Sequence, residues 1–178
     1  WVRDGVIEMT CGHAMAQVVR NPQWLDLSDK WFCLLGAGSA MGPLLVLLAA
    51  GANIVAVDLN RAPIWERLIT LARASSGTMV FPLSKPEAEV RGDDAALFAA
   101  AGCNLFTQTP EIRNWLLKVE PSKELIIGSY AYIAGELFMR VALAMDAICA
   151  DLTSKRKNVS LAYLCTPTDA HLCPAAAA

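Results

Sequence analysis

Three glycines carry the clearest chemical signal in this chain. In Leu35-Gly36-Ala37-Gly38-Ser39-Ala40-Met41-Gly42 they fall where the apolar run Trp31 to Leu35 hands over to a helix-forming stretch. Gly36 there allows a tight turn, Gly38 lets the backbone approach a pyrophosphate, and Gly42 lets the helix pack closely on the strand. Ser39 and Met41 lie at the helix start, where unpaired N–H groups and a partial positive charge meet an anion. Asp58 closes the next β-branched run, 22 residues beyond Gly36. A carboxylate at that distance accepts hydrogen bonds from ribose hydroxyls. Its charge also repels a 2′-phosphate, so NAD is expected in preference to NADP, although Arg61 is close enough in sequence to bind a phosphate. The other reading of the same residues is a glycine-rich turn that holds no ligand.

Candidates for chemistry beyond binding follow from position. Ligands of open parallel sheets sit at the carboxyl ends of the strands, which here would end near Thr107, Tyr130 and Asp169. Tyr130 as proton donor, with Asp169 and His171 as a general acid/base pair, is the sharpest enzymatic arrangement those ends offer. Thr166-Pro167-Thr168-Asp169 is equally ordinary turn chemistry. Cys11-Gly12-His13 and His171-Leu172-Cys173 contain the ligand types of a structural zinc site. Their single-residue spacing and their placement at opposite ends of the chain argue against one, so no metal is expected. Cys33, Cys103, Cys149 and Cys165 fall in apolar runs and read as packing residues.

The elements that must position these groups alternate. Gly12 to Arg20 reads as a short helix, Trp31 to Leu35 as a strand, Ser39 to Ala50 as a helix and Ile54 to Asp58 as a strand. A helix led by Asn60 and Pro63 follows, with Trp65, Leu68, Ile69 and Ala72 on one face. Thr78 to Phe81 is a third strand, Asp93 or Asp94 starts a helix that ends at Gly102, and Asn104 to Thr107 is a fourth strand. Pro110 to Val119 is helical, Glu124 to Ile127 begins a fifth strand, Glu136 to Leu152 is the longest helix, and Val159 to Leu164 is a sixth strand. Strands and helices at this spacing imply an α/β fold. The expectation is a three-layer, Rossmann-like doubly wound sheet of about six mostly parallel strands with helices on both faces. Residues 1–25 are then an N-terminal helical extension, 26–174 the dinucleotide-binding domain, and 175–178 an uninformative alanine run. A chain that opens at Trp1 and closes on four alanines also reads as part of a longer protein.

Composition narrows the classes. The 178 residues are 55% hydrophobic with a formal charge of −2, which excludes disorder and disfavours a nucleic-acid binder. Trp31 to Val57 is 27 residues without a charge, long enough to span a membrane. Gly36, Gly38, Gly42, Pro43 and Gly51 divide it as a strand–helix–strand unit requires, so no transmembrane span is expected. The reading is a soluble, intracellular chain of the cytoplasm or an organelle matrix.

Asp26-Leu27-Ser28-Asp29-Lys30, the Leu35–Gly42 loop and Ala56-Val57-Asp58-Leu59-Asn60-Arg61 resemble the opening of the short-chain dehydrogenases/reductases over residues 26–75. The resemblance implies a Rossmann fold, NAD or NADP, and oxidation or reduction of alcohols and carbonyls. Leu35 departs from the family's usual Thr and Ala40 from its middle glycine. The family's catalytic Tyr precedes a Lys by four residues, whereas Tyr130, Tyr132 and Tyr163 precede Ala134, Glu136 and Pro167. The resemblance thus implies dinucleotide binding without that family's catalytic pair.

The long helix repeats Phe138, Val141, Met145, Ile148 and Leu152, with Ala134, Leu137, Ala142 and Ala144 widening the stripe. A helix apolar over more than one face is sunk in a core or shared with a partner. A protein partner or a homo-oligomer through residues 136–152 is therefore expected. Lys155-Arg156-Lys157 reads as a solvated complement to the helix's negative end. Two functions stay open: an NAD(P)-dependent oxidoreductase with atypical or incomplete catalytic groups, or a non-catalytic Rossmann-fold subunit of a larger assembly.

Overall fold

The computed structural model describes residues 1–163. Five parallel strands form one sheet: β1 (Trp31–Leu35), β2 (Asn53–Val57), β3 (Thr78–Val80), β4 (Leu125–Ser129) and β5 (Val159–Tyr163). Their spatial order is β3-β2-β1-β4-β5, every neighbouring pair parallel. The chain builds outward from β1 to β3, then crosses back to lay β4 on the other side of β1. That reversal opens a crevice at the carboxyl ends of β1 and β4, where ligands of open α/β sheets bind. The architecture is thus α/β and Rossmann-like in its broad plan.

The central strands β1, β2 and β4 form because each is a short run of β-branched or large apolar residues buried largely on both sides, as a parallel sheet demands, while the edge strands β3 and β5 are more exposed. Alternate residues enter two different cores. Cys33, Leu35, Val55, Val57, Leu125 and Ile127 pack with Ile112 and Leu116 of α6 (Thr109–Leu116) and with Met145, Ile148 and Leu152 of α7 (Leu137–Lys155). Leu34, Ile54 and Ala56 pack instead with Leu44, Leu47 and Leu48 of α2 (Leu44–Ala49) and with Trp65, Leu68 and Ile69 of α3 (Ala62–Arg73). Between β3 and α6 lie a short α4 (Glu87–Val90) and α5 (Asp94–Ala100). The Asp93 side chain caps α5 by accepting from the Ala96 N–H. The N-terminal α1 (Met9–Arg20) buries no residue.

Five expectations need correction. Asn104–Thr107 is not a strand: the Asn104 side chain accepts from the Phe106 and Thr107 N–H groups, and Gln108 accepts from Asn104, so the segment is a turn. The sheet has five strands among the described residues, not six. The helix after the glycines begins at Leu44 rather than Ser39, because Ser39–Gly42 closes into a turn and Pro43 stands at the N-cap. Nor is Asn60 the cap of α3; Arg61 holds that position, without a side-chain bond. Arg156 is buried rather than solvated. Among the described residues, no helix is long and apolar enough to cross a membrane.

Candidate functional site

The carboxyl ends of β1, β2 and β4 are tied together by backbone hydrogen bonds. Gly36 and Ala37 donate to the Val57 carbonyl, and Tyr130 and Ala131 donate to the Leu35 carbonyl. Gly36 has φ +91°, and a Cβ there would collide with the Ala131 backbone nitrogen. Only glycine satisfies both conditions. The Cys103 N–H donates to the Asp58 carbonyl, which brings the segment after α5 to the same edge.

A cleft of about 470 Å³ opens between these ends. Gly36, Gly38, Ser39, Met41, Asp58 and Arg61, six of the seven residues expected to hold a cofactor, line it. The structure brings the two halves of the expected motif into contact. The Gly38 N–H donates to Asp58 Oδ2 at 2.6 Å, and the Leu59 N–H donates to Oδ1 at 2.7 Å. The carboxylate is held against the loop by two backbone donors while each oxygen retains a further lone pair for a hydroxyl group. Gly42 departs from its expected place. It donates to the Ser39 carbonyl within a turn, and a Cβ on it would approach Tyr130 at 3.6 Å. Its neighbour is therefore Tyr130, not the cleft.

Sequence reasoning missed Arg67, which also lines the cleft and whose Nη2 donates to the Gly38 carbonyl at 2.7 Å. Gly38 is thus gripped on both sides, its N–H by Asp58 and its carbonyl by Arg67. A Cβ on Gly38 would stand 3.0 Å from both the Arg67 guanidinium and the Asp58 carboxylate. The available signal was helical spacing: Ile64, three residues before Arg67, also lines the cleft, while Trp65 and Leu68 point to the core.

Of the expected catalytic group, Tyr130 is the member that falls within the described residues. The Tyr130 ring lies back over Gly128, whose missing side chain makes room for it, and joins the α2–α3 core. Burial pushes its phenol pKa up from the ordinary value, which opposes proton transfer near neutral pH. Two residues on, Tyr132 lines the cleft instead and packs against Phe138, the rings tilted by 58° with centroids 6.2 Å apart. Asp169, His171 and Cys165 lie outside the described residues. Cys33 and Cys103 are buried, and burial raises both thiol pKa values, that of Cys103 to about 12. Cys149 is half-buried. No three His, Cys, Asp or Glu side chains are grouped as metal ligands among the described residues.

The remaining wall of the cleft is apolar, formed by Leu105, Phe106, Ile133, Leu137 and Val141. On α7, Met145, Ile148 and Leu152 are buried, while Phe138, Met139 and Leu143 are exposed. No protein-family model, curated protein or solved structure matches the chain.

Proposed function

We propose that the chain is a three-layer, doubly wound Rossmann-like domain that binds a dinucleotide in the cleft at Gly36–Asp58, with NAD preferred to NADP. The observation that carries this reading is the 2.6 Å bond from the Gly38 N–H to Asp58 beside that cleft. A carboxylate after the second strand, held beside the loop after the first, is where such sheets accept a ribose hydroxyl, which supports that role for Asp58. Two apolar cores drawing on alternate residues of the same strands support the three layers. The class of reaction that follows is hydride transfer between a nicotinamide and an alcohol or carbonyl, since the cofactor itself carries the hard chemistry. When bound, NAD supplies the hydride acceptor; Asp58 holds the ribose, and the Leu105, Phe106 and Val141 wall excludes water.

Thermal unfolding with NAD, NADH, NADP and NADPH tests the reading. A ligand at about 100 times its Kd stabilises by about 2.7 kcal/mol, a midpoint rise of about 5–10 °C for a domain of this size. The expected result is that rise with NAD or NADH and its loss in Gly38→Val. No rise with any of the four overturns it.

The non-catalytic reading draws on one observation: Tyr130 is folded over Gly128, away from the cleft. A chain that binds NADH yet oxidises none in the presence of aldehydes and ketones fits that second reading, with α7's exposed Phe138, Met139 and Leu143 available to a partner subunit.

A further inference from the structure

We propose that Arg67 is the phosphate-binding residue of the cleft, doing the work that a helix N-terminus does in most dinucleotide sites. The inference rests on the nucleotide reading above and goes further by naming what neutralises the ligand's charge. A phosphate ester brought into a half-enclosed cleft needs donors or a counter-charge. Most donors of the glycine loop are already engaged, with the Ala40 N–H the exception at the cleft. The Gly38 N–H is on Asp58, Ser39 donates to the Gly36 carbonyl, Met41 to the Ser39 hydroxyl, and Gly42 to the Ser39 carbonyl. The following helix has only six residues and starts beyond Pro43, so its weak dipole is set back from Gly36 and Gly38.

Among the described residues, Arg61 and Arg67 are the cationic side chains that line the cleft. Arg67 is the one anchored to the loop. A single N–H of its guanidinium holds the Gly38 carbonyl, and the others stay available in the planar fork that suits phosphate oxygens. Anchoring removes rotamer freedom before the ligand arrives, which lowers the entropy cost of binding. Asp58 is held separately, by the Gly38 and Leu59 N–H groups, so ribose and phosphate are read by neighbouring but distinct groups.

Calorimetric titration with adenosine, adenosine 5′-diphosphate and adenosine 2′-phosphate tests this on the wild type, Arg67→Ala, Arg67→Lys and Arg61→Ala. The wild type should bind the diphosphate about 10- to 100-fold more tightly than adenosine, the range of a charge-assisted hydrogen bond. Arg67→Ala should bind both alike, with its adenosine affinity retained as the sign that the fold and Asp58 are intact. Arg67→Lys should keep part of the increment, and added salt should erode it. An increment that appears with the 2′-phosphate instead, and is lost in Arg67→Ala, supports Arg67 as the ligand but assigns it to a phosphorylated ribose. Overturning results are an increment that survives Arg67→Ala, one that vanishes in Arg61→Ala alone, or a wild type that binds adenosine and diphosphate equally. A wild type that binds none of the three overturns the nucleotide reading itself.

Discussion

At the end of α7, Arg156 is 7% exposed and donates to the carbonyls of Leu116, Val119, Glu120 and Lys123. On α3, Arg67 is exposed and donates to one carbonyl, that of Gly38. The chemistry is the same and the setting is not. Arg156 stands at the amino-terminal edge of the sheet, where its guanidinium closes the loop that leads into β4. Asn158 adds bonds to the Pro121 and Lys123 carbonyls of that same loop. Four carbonyl oxygens replace a carboxylate as its partners, and burial lowers its pKa from a very high ordinary value. Arg67 stands at the carboxyl edge with most of its donors unused. The difference separates a staple from a binding group: one edge of the sheet is sewn shut, and the other is held in shape but left open.

The largest effect should come from removing the staple. Arg156→Met leaves one buried and three part-buried carbonyls without their donor and should destabilise the chain by about 3–4 kcal/mol. Thermal unfolding would register that as a fall of roughly 6–15 °C, while nucleotide affinity measured well below the midpoint stays unchanged. Next in size is Gly36→Ala, which combines a positive φ with the approach of the Ala131 backbone. It should cost about 2–3 kcal/mol and, unlike Arg156→Met, should also abolish nucleotide binding. Arg67→Ala should move stability by no more than about 0.5 kcal/mol, because the side chain is exposed. A large loss there would make Arg67 a second staple and erase the contrast. Tyr130→Phe should be as mild and leave any turnover intact, since the ring faces the α2–α3 core. Thiol labelling at mild alkaline pH gives the finest check. Cys11 is exposed and should react at once. Cys33 and Cys103, buried with raised pKa values, should react only on unfolding, because almost no thiolate forms.

The sequence made the frame legible where local and tertiary preferences agree. Trp31–Leu35 and Asn53–Val57 are apolar runs with no competing local bond, and both are strands. Asn104–Thr107 has only two apolar residues, Leu105 and Phe106, and the Asn104 side chain offers the backbone a turn that so short a run cannot resist. The glycine loop and Asp58 were legible together because a fixed distance links them; the contact between Gly38 and Asp58 realises it. The setting of Tyr130 was not legible from its position after a strand. Both tyrosines lie beyond Ser129, the last residue of β4, where strand alternation no longer sets side-chain direction; Tyr130 turns back over Gly128 and Tyr132 lines the cleft. Arg67 and Arg156 were hidden for a shared reason. Their partners are backbone carbonyls 29 to 40 residues away, and a carbonyl has no sequence signature.

The most direct test of the account is an amide-resolved NMR titration of the labelled chain with NADH. The Gly38 N–H should resonate downfield because of its short bond to a carboxylate. On titration, shifts should concentrate at Gly36 to Met41, Leu59 and Cys103 to Phe106, with Leu116 to Lys123 around the Arg156 staple unmoved. A spectrum that does not change, or changes that gather at the stapled edge rather than the open one, would contradict the assignment of the cleft as the nucleotide site.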